Sequence, residues 1–362
     1  MWDADTPPDR GLKQSSTLRK ILLGTLLISF IGYIALPVAF KYSSTLIRNI
    51  TFLNLVDNPF RPSLLNPSMN YGFIGARNFY LTSPDGKDLG VWHLLPSELQ
   101  QEASTLQTDD PYNAKVAAHY HQWLQDAKVF VYCHGTAGSR ASAGRIKLYS
   151  LLNSLGYHVV TFDYRGYGDS SGHPTTEHDV MMDARTVLDW VRGHVRGGNI
   201  FLWGHSLGSG VVSKLLFNLE LEPDNPVVGA VLESSFNNLE DAIRAYPPSR
   251  AYTSLPGFDF FATEPITNQG ITFRSEDYLT KVSLPLMFLH AKDDHIVPYK
   301  LGVKLYETVV KSRKDKSTVE FVSYNEDLGY GHTKIHEDPN LGGKIQEFVE
   351  KSIGRKTNHL YM

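Results

Sequence analysis

The sequence predicts an α/β protein with a mostly parallel, doubly wound sheet, preceded by one transmembrane helix. Two observations indicate this class. From residue 129 onward, short apolar runs of strand length alternate with helix-period segments, and an uncharged run lies near the N-terminus. The composition is that of an ordinary globular protein, and a chain of 362 residues can form one α/β body with insertions. Its scattered, nearly balanced charges, with a formal net charge of -3, argue against a nucleic-acid partner.

The uncharged run covers residues 21–40, and an α-helix needs about 20 residues to cross the hydrocarbon core of a membrane. No small-residue cleavage site accompanies it, so we interpret it as an uncleaved anchor. Six basic residues flank it, four before and two after: Arg10, Lys13, Arg19, Lys20, Lys41 and Arg48. The positive-inside rule therefore predicts a cytosolic tail at residues 1–20, with everything after the anchor in the lumen or outside the cell.

Residues 41–75 are apolar but interrupted by prolines, which favours a juxtamembrane segment lying against the bilayer or against the body of the protein. An antiparallel hairpin is predicted around the turn at residues 84–86.

The polar residues 97–110 are predicted to be a loop or a disordered insertion. The helix after them carries an apolar stripe that we expect to pack: Tyr112, Val116, Tyr120 and Trp123.

Strands and helices then alternate regularly. Strands are predicted at residues 129–133, 158–163, 200–203, 227–233, 284–290 and 318–324. Helices are predicted at residues 144–155, 177–195, 207–219, 299–310 and 341–351. Such a parallel sheet carries its functional loops at the carboxyl ends of the strands. The alternation breaks at residues 237–281, whose apolar side chains predict a lid over an apolar pocket, with ordinary packing as the alternative.

The residues GHSLG at 204–208 lie between an apolar strand and a helix-period segment. This order is typical of a nucleophile elbow, in which a strained corner exposes a serine hydroxyl and the two glycines let strand and helix pass closely. The helix N-terminus also supplies a backbone N–H group where an oxyanion would form. Ser206 is therefore the predicted nucleophile, and an ordinary serine in a glycine-rich turn is the alternative.

A nucleophilic serine needs a base, and the base needs an orienting carboxylate. In α/β hydrolases the order along the chain is Ser, acid, His. Asp294, after a predicted strand, is the candidate acid, with Asp293 as the alternative. His332, in the loop before the last helix, is the candidate base. His336 is its rival, and these two histidines also leave a metal pair open, although no HExxH motif or convincing third ligand accompanies them.

Residues 134–136 directly follow a central strand, where this architecture places one donor of the oxyanion hole. We predict that the backbone N–H groups of Thr136 and Leu207 form that hole, which implies acyl transfer without a metal or cofactor. A simple strand-ending turn is the alternative. Three basic residues follow, and we interpret them as a solvated helix face, with contact to an anionic head group as the alternative: Arg140, Arg145 and Lys147.

From about residue 40 to its end, the chain resembles the membrane-anchored α/β-hydrolase-domain 12 lipases, the monoacylglycerol and lysophosphatidylserine lipase family. The similar stretches are FLNLVDNP, GVWHLLP, GYHVVTFDYRGYGDSSG, WGHSLGSGV, LPGFDFFATEPITNQGI, LHAKDDHIVP and DLGYGH. The resemblance implies an α/β-hydrolase domain at residues 76–362 and hydrolysis of monoacylglycerols and lysophospholipids, notably lysophosphatidylserine. It also implies a lumenal active site at the endoplasmic reticulum membrane, with the triad Ser206, Asp294 and His332.

Other functions share these motifs. A protein depalmitoylase or a peptidase would use the same triad, and a catalytically inactive hydrolase fold would act as a membrane-binding module. The expected partners are a lipid ester substrate and the bilayer, and no obligate protein partner follows from the sequence.

Overall fold

The computed structural model describes residues 10–106, 114–222, 225 and 227–360, and in these residues eight strands form one sheet. The strands are β1 Arg77–Thr82, β2 Asp88–Leu94, β3 Lys128–Cys133, β4 His158–Phe162, β5 Asn199–His205, β6 Val227–Glu233, β7 Leu286–Ala291 and β8 Val319–Tyr324. Their order across the sheet is β1-β2-β4-β3-β5-β6-β7-β8. The β1–β2 hairpin is antiparallel, β2 pairs antiparallel with β4, and all later pairs are parallel. The predicted α/β fold is confirmed.

The described residues form the following α-helices: α1 Arg10–Phe30, α2 Leu36–Tyr42, α3 Ser44–Phe52, α4 Pro67–Tyr71, α5 Ser97–Thr105, α6 Ala114–Leu124, α7 Ala143–Ser154, α8 Glu177–His194, α9 Leu207–Leu219, α10 Leu239–Ala245, α11 Arg250–Thr253, α12 Glu264–Thr267, α13 Ser275–Leu279, α14 Tyr299–Ser312 and α15 Leu341–Leu360. The helices predicted between the strands form with ends shifted by a residue or two. The last helix continues to Leu360, beyond its predicted end.

One prediction for the region before β3 is wrong. Residues 97–110 are not simply a loop, because Ser97–Thr105 is helical and buries Ala103 against Tyr120 of α6. Leu99 packs beside Ala103 in this small cluster, as expected for side chains four residues apart on one helix face. The remainder of the predicted loop, residues 107–110, and Tyr112 of the predicted stripe lie outside the described residues.

The sheet has a separate apolar core on each face. Side chains from α8, α9 and α14 cover one face, and side chains from α7 and α15 cover the other. Strands β4, β6 and β7 are buried along their whole length, which is why their sequences are mostly apolar and do not alternate between apolar and polar residues. Burial on both faces leaves only the strand ends and the loops for function.

The strand order also determines where a site can form. From β3 the chain passes to β4 on one side and later to β5 on the other, so the connections leave β3 and β5 in opposite directions. In an open α/β sheet, ligands bind in the crevice at the carboxyl ends of the strands at such a switch point. Here that crevice lies between the loop at residues 134–136 and Ser206.

The N-terminal helix is long and apolar enough to cross a membrane. The stretch Thr17–Tyr42 has 26 residues, and its most apolar 18-residue window has a mean hydropathy of 2.3 and contains no buried residue. It contains a π-helical turn at Ile31–Ala35, directly before Pro37. Proline has no N–H group to continue the α-helical hydrogen bonds, and a local π turn accommodates that loss.

The segment after this helix is fastened to the body of the protein. The Tyr167 hydroxyl donates to the Phe52 carbonyl, and the Trp92 indole donates to the Leu64 carbonyl over 2.8 Å. Further along, the Gly138 N–H donates to the Val56 carbonyl over 2.7 Å. Residues 41–75 therefore pack against the same side of the protein as the loop that contains residues 134–138.

Candidate active site

Ser206 occupies a sharp corner between β5 and α9. Its backbone has φ 53° and ψ −119°, a conformation that side-chain-bearing residues rarely adopt and that costs about 1–3 kcal/mol. The surrounding structure holds it there, because the Ser206 N–H donates to the Glu233 carbonyl over 2.9 Å and the Ser206 carbonyl accepts from Ser209. Leu207 begins α9, so its N–H has no partner within the helix.

The two glycines of the elbow are required by close approach. A Cβ at Gly204 would lie 2.5 Å from the Gly208 carbonyl oxygen, and a Cβ at Gly208 would lie 2.0 Å from the Cys133 carbonyl oxygen. Both distances are far inside van der Waals contact, and both neighbours are backbone atoms that cannot rotate away. The expectation that these glycines let strand and helix pass closely is confirmed.

Substitution Gly208→Ala should therefore destabilise the fold by more than about 3 kcal/mol, at or beyond the upper end for overpacked cores. The matched control is Gly193→Ala in α8, where an added Cβ would meet nothing within 4 Å. Because alanine favours a helix over glycine by about 1 kcal/mol, the control should be neutral or stabilising. Thermal unfolding midpoints of the detergent-solubilised full chain would measure both, and similar midpoints would contradict the close approach.

Asp294 and His332 are brought together from positions 38 residues apart. The His332 Nδ1 lies 2.8 Å from Asp294 Oδ2, while Asp294 Oδ1 accepts the backbone N–H groups of Ile296 and Val297 at 2.9 Å each. Burial alone would raise the pKa of the Asp294 carboxyl, but hydrogen bonds from His290 and His332 outweigh it and hold that pKa below its ordinary value. The acid is therefore ionised and oriented toward the imidazole.

The structure separates the alternatives to this pair. Asp293 Oδ2 accepts the Gly331 N–H at 3.0 Å, so this carboxylate contacts the backbone of the histidine loop and not the His332 ring. His336 lies beside Gly144 of α7, with its Nε2 3.8 Å from Glu337. No group of three or more His, Cys, Asp or Glu side chains in the described residues is placed to hold a metal ion.

His205 connects the histidine loop to the elbow. Its Nε2 lies 2.8 Å from the His332 carbonyl oxygen, and the two imidazole centroids are 4.9 Å apart. Burial, followed by the neighbouring His332, lowers the pKa of His205 to about 3. A neutral imidazole whose Nε2 carries the proton donates to that carbonyl, and it thereby holds the backbone of residue 332 against the residue that precedes Ser206.

The loop after β3 lies against the elbow. A Cβ at Gly135 would be 3.0 Å from Ser206 Cβ, so residues 134–136 and the serine share one wall of the crevice. The Gly135 carbonyl faces His134 Nδ1 at 2.7 Å and Arg145 Nη2 at 3.3 Å. The peptide bond is trans, so the N–H of Thr136 points away from those partners.

The sequence predicted Arg145 on a solvated helix face, and this prediction is wrong. Its guanidinium also donates to the carbonyls of Ala137 at 3.0 Å and Ser139 at 2.5 Å, so it holds successive carbonyls of this loop. Residues 137 and 138 both have positive φ, which lets the chain curl around the guanidinium. Sequence reasoning missed this role, because the only local signal was an arginine shortly after a strand-ending turn.

Comparison with known proteins shows the family. A family model for the alpha/beta hydrolase fold matches residues 128–259. Lysophosphatidylserine lipase ABHD12 of Rattus norvegicus is 38% identical over 354 residues, which cover 95% of this chain and 85% of that protein. The chain belongs to the ABHD12 family of α/β hydrolases. The ABHD12 protein of Danio rerio is 36% identical over 359 residues, covering 96% of this chain and 90% of that protein.

A solved structure supports the fold of this ABHD12-family chain. The Pyrococcus furiosus esterase Pf2001 superposes with a TM-score of 0.56, covering 82% of this chain and 97% of the esterase. The sequence identity is 17%, so this likeness concerns the architecture.

In this ABHD12-family chain Arg140 is buried, which corrects the prediction of a solvated position. Its Nη1 lies 2.5 Å from Asp163 and 2.6 Å from Asp169, and the side chain is fully covered. The reason is that Arg140 lies in the loop before α7, where the carboxylates of Asp163 and Asp169 pair with its guanidinium inside the protein. Lys147, by contrast, lies on the exposed face of α7, 63% accessible and 3.5 Å from Glu337.

Glu233 is a buried acid behind the elbow that the sequence did not reveal. It ends β6, is 5% exposed, and accepts the Trp203 indole N–H over 2.9 Å. Burial raises the pKa of Glu233 to about 7; the bond from Trp203 opposes this shift and the nearby Asp294 charge adds to it. A charged residue closing an otherwise apolar strand was the one available signal.

Glu233 therefore makes folding depend on pH. Between the ordinary carboxyl pKa of 4.5 and the folded value of about 7, the folded state holds a proton that the unfolded state has released. Stability must fall as pH rises through that window, by on the order of 3 kcal/mol in total. Glu233→Gln should remove this loss while keeping an acceptor for Trp203. Unfolding midpoints from pH 5 to 8 should diverge in favour of the variant, and parallel curves would contradict the buried-acid assignment.

Proposed function

We propose that the chain is a membrane-anchored serine hydrolase that cleaves the acyl esters of lysophospholipids, notably lysophosphatidylserine, and of monoacylglycerols. The observation that carries the proposal is the hydrogen bond between Asp294 and His332, in a loop whose His332 carbonyl is bonded by His205, the residue directly before the strained Ser206. Relatives at 36–38% identity that are named lysophosphatidylserine lipases support the substrate class.

In the first step, His332 acts as the base. Its Nδ1–H is donated to Asp294, which leaves Nε2 to take the proton of the Ser206 hydroxyl as the oxygen attacks the ester carbonyl. The carbonyl oxygen of the substrate gains negative charge. The N–H groups of Thr136 and Leu207 stabilise that charge. The Thr136 N–H is oriented because Arg145 binds the carbonyl of Gly135 on the other side of the same peptide bond. The Leu207 N–H is free of a partner within the helix because Leu207 is the first residue of α9.

The second half of the reaction returns the enzyme to its starting state. The tetrahedral intermediate breaks its bond to the alcohol, and the oxygen of the glycerol, or of the glycerophosphoserine from lysophosphatidylserine, leaves with the proton from His332. The acyl group remains on Ser206 as an ester. Water then attacks this ester with His332 again as base, and the fatty acid leaves while the proton returns to the serine oxygen.

The same proposal assigns the other segments. Residues 21–40 cross the membrane within the apolar helix Thr17–Tyr42, and residues 1–20 lie in the cytosol. Residues 41–75 form a juxtamembrane segment, and residues 76–362 form a catalytic domain in the lumen of the endoplasmic reticulum. Residues 237–281 form a lid. A site held at the bilayer surface meets lipid esters at high local concentration.

The test is a substrate comparison with the full chain in nanodiscs. Fatty-acid release would be measured from lysophosphatidylserine, a monoacylglycerol and an S-acylated peptide, and release of the peptide acid from a peptide ester without an acyl chain. We expect the two lipids to be hydrolysed at least ten times (about 1.4 kcal/mol) faster than either peptide. Preference for a peptide would instead support a depalmitoylase or a peptidase. Folded protein that a fluorophosphonate probe does not label would support the non-catalytic binding module.

A further inference from the structure

Two side-chain contacts join residues 250–261, here called the lid tip, to the apolar N-terminal helix. The ring of Tyr252 lies 5.7 Å from the ring of Tyr33. The Lys41 Nζ donates to the Phe260 carbonyl over 2.9 Å and lies 3.0 Å from the centroid of the Phe260 ring. The π-helical turn Asp259–Thr263 packs along α2 as a consequence.

The positions of these contacts along the N-terminal helix indicate how deep the lid tip lies in the bilayer. Lys41 is the first charged residue after the uncharged run at 21–40, so it marks the polar boundary of the membrane. Tyr33 precedes Lys41 by eight residues, which corresponds to about 12 Å along a helix. Tyr252, which touches Tyr33, is therefore at a level within the leaflet and not above it.

The composition of the lid tip suits that level. Residues 251–258 carry no charged side chain, and Leu255 and Phe260 are 38% and 47% exposed in the absence of a membrane. Two charged residues belong to the lid tip: Arg250 is its first residue, and Asp259 is neutralised by an ion pair with Arg244. The exposed apolar side chains lie beside the end of the anchor helix, where a basic residue marks the membrane boundary. This arrangement is typical of a segment that contacts the membrane interface.

We propose that the lid tip is immersed in the leaflet beside the anchor, with the lipid acyl chains as the partner of Leu255 and its neighbours. This inference rests on the proposed membrane anchoring. Its consequence is that the lid borders the hydrocarbon region directly, so that a lipid ester reaches the site laterally from the bilayer without passing through water.

The single cysteine of the chain makes depth measurable. Cys133 is buried, and burial raises the pKa of its thiol to about 12, so it does not react under ordinary labelling conditions. A fluorophore would be attached to Leu255→Cys in the full chain in nanodiscs. The matched control is Leu221→Cys. Leu221 is also an apolar residue, it follows the C-terminal end of α9, and its side chain is 79% exposed. Lipids carrying a spin-label quencher on the acyl chain would then be added.

We expect several-fold stronger quenching of the label at 255 than of the label at 221. Equal quenching would overturn the proposal. A label at 255 that is shielded from water but not reached by the quencher would also overturn it, because a second copy or another protein would then cover the lid tip. Depth does not depend on turnover, so hydrolysis of a short-chain, water-soluble ester by both labelled variants tests the hydrolase proposal separately.

Discussion

Replacement of Ser206 by alanine is expected to lower kcat for lysophosphatidylserine hydrolysis by about 10⁴-fold or more. Removal of a nucleophilic serine from such a site abolishes the acyl-enzyme route, and the losses measured in serine proteases approach about 10⁶-fold. Alanine keeps the backbone at φ 53° at no greater strain than serine, so the fold should persist. Initial rates of fatty-acid release, together with fluorophosphonate labelling, would measure the loss.

The control for this variant is Ser213→Ala. Ser213 is a buried serine of the same helix, and its hydroxyl donates to the Ser209 carbonyl over 2.7 Å, away from the crevice. Losing that bond costs about 1 kcal/mol of stability without touching the site, so activity should stay within a few fold. Retained labelling in Ser206→Ala would reject Ser206 as the nucleophile.

Asp294→Asn is expected to reduce kcat by about 10⁴-fold, the size of effect seen when the acid of a serine-protease triad is made an amide. The asparagine can keep an oxygen toward the N–H groups of Ile296 and Val297, so the loop should hold. It loses the negative charge that stabilises the imidazolium of His332 and the acceptor that selects its tautomer. The pH profile of kcat should change together with its magnitude.

The neighbouring Asp293→Asn is the matched control. Its carboxylate bonds only the backbone of Gly331 among the contacts of the described site, and an asparagine oxygen can accept that N–H equally well. We expect its kcat to fall by less than about tenfold, that is by less than 1.4 kcal/mol in the activation free energy. Comparable losses at 293 and 294 would mean that the loop, and not the His332–Asp294 bond, supports the reaction.

The candidate site could be predicted from the sequence only in part, as Asp293 and Asp294 illustrate. Strand, elbow and loop positions along the chain were enough to predict Ser206 and His332 as candidates, because each depends on a local pattern. For the acid, the sequence favours Asp294 and leaves Asp293 as the alternative. These carboxylates are adjacent in the chain, and only the conformation of the loop after β7 turns one toward His332 and the other toward Gly331.

The same distinction explains the errors. Arg140 and Arg145 were interpreted from charge alone, whereas their partners lie in the loops around residues 135 and 163, which the fold brings beside them. Glu233 reads as an ordinary strand end, and its burial depends on packing of Trp203 from the neighbouring strand. The helix Ser97–Thr105 was missed because its polar sequence buries only a small face against α6.

The sequence by itself determined the order of strands and helices, the elbow with its two close-packed glycines, and the apolar helix near the N-terminus. Those features follow from hydrophobic periodicity and from local backbone geometry, which act over a few residues. The tertiary structure alone decided which acid meets His332, what holds the loop around Gly135, and that the lid tip touches the apolar helix at Tyr33. Each of the three depends on packing between separate elements, which local propensity does not encode.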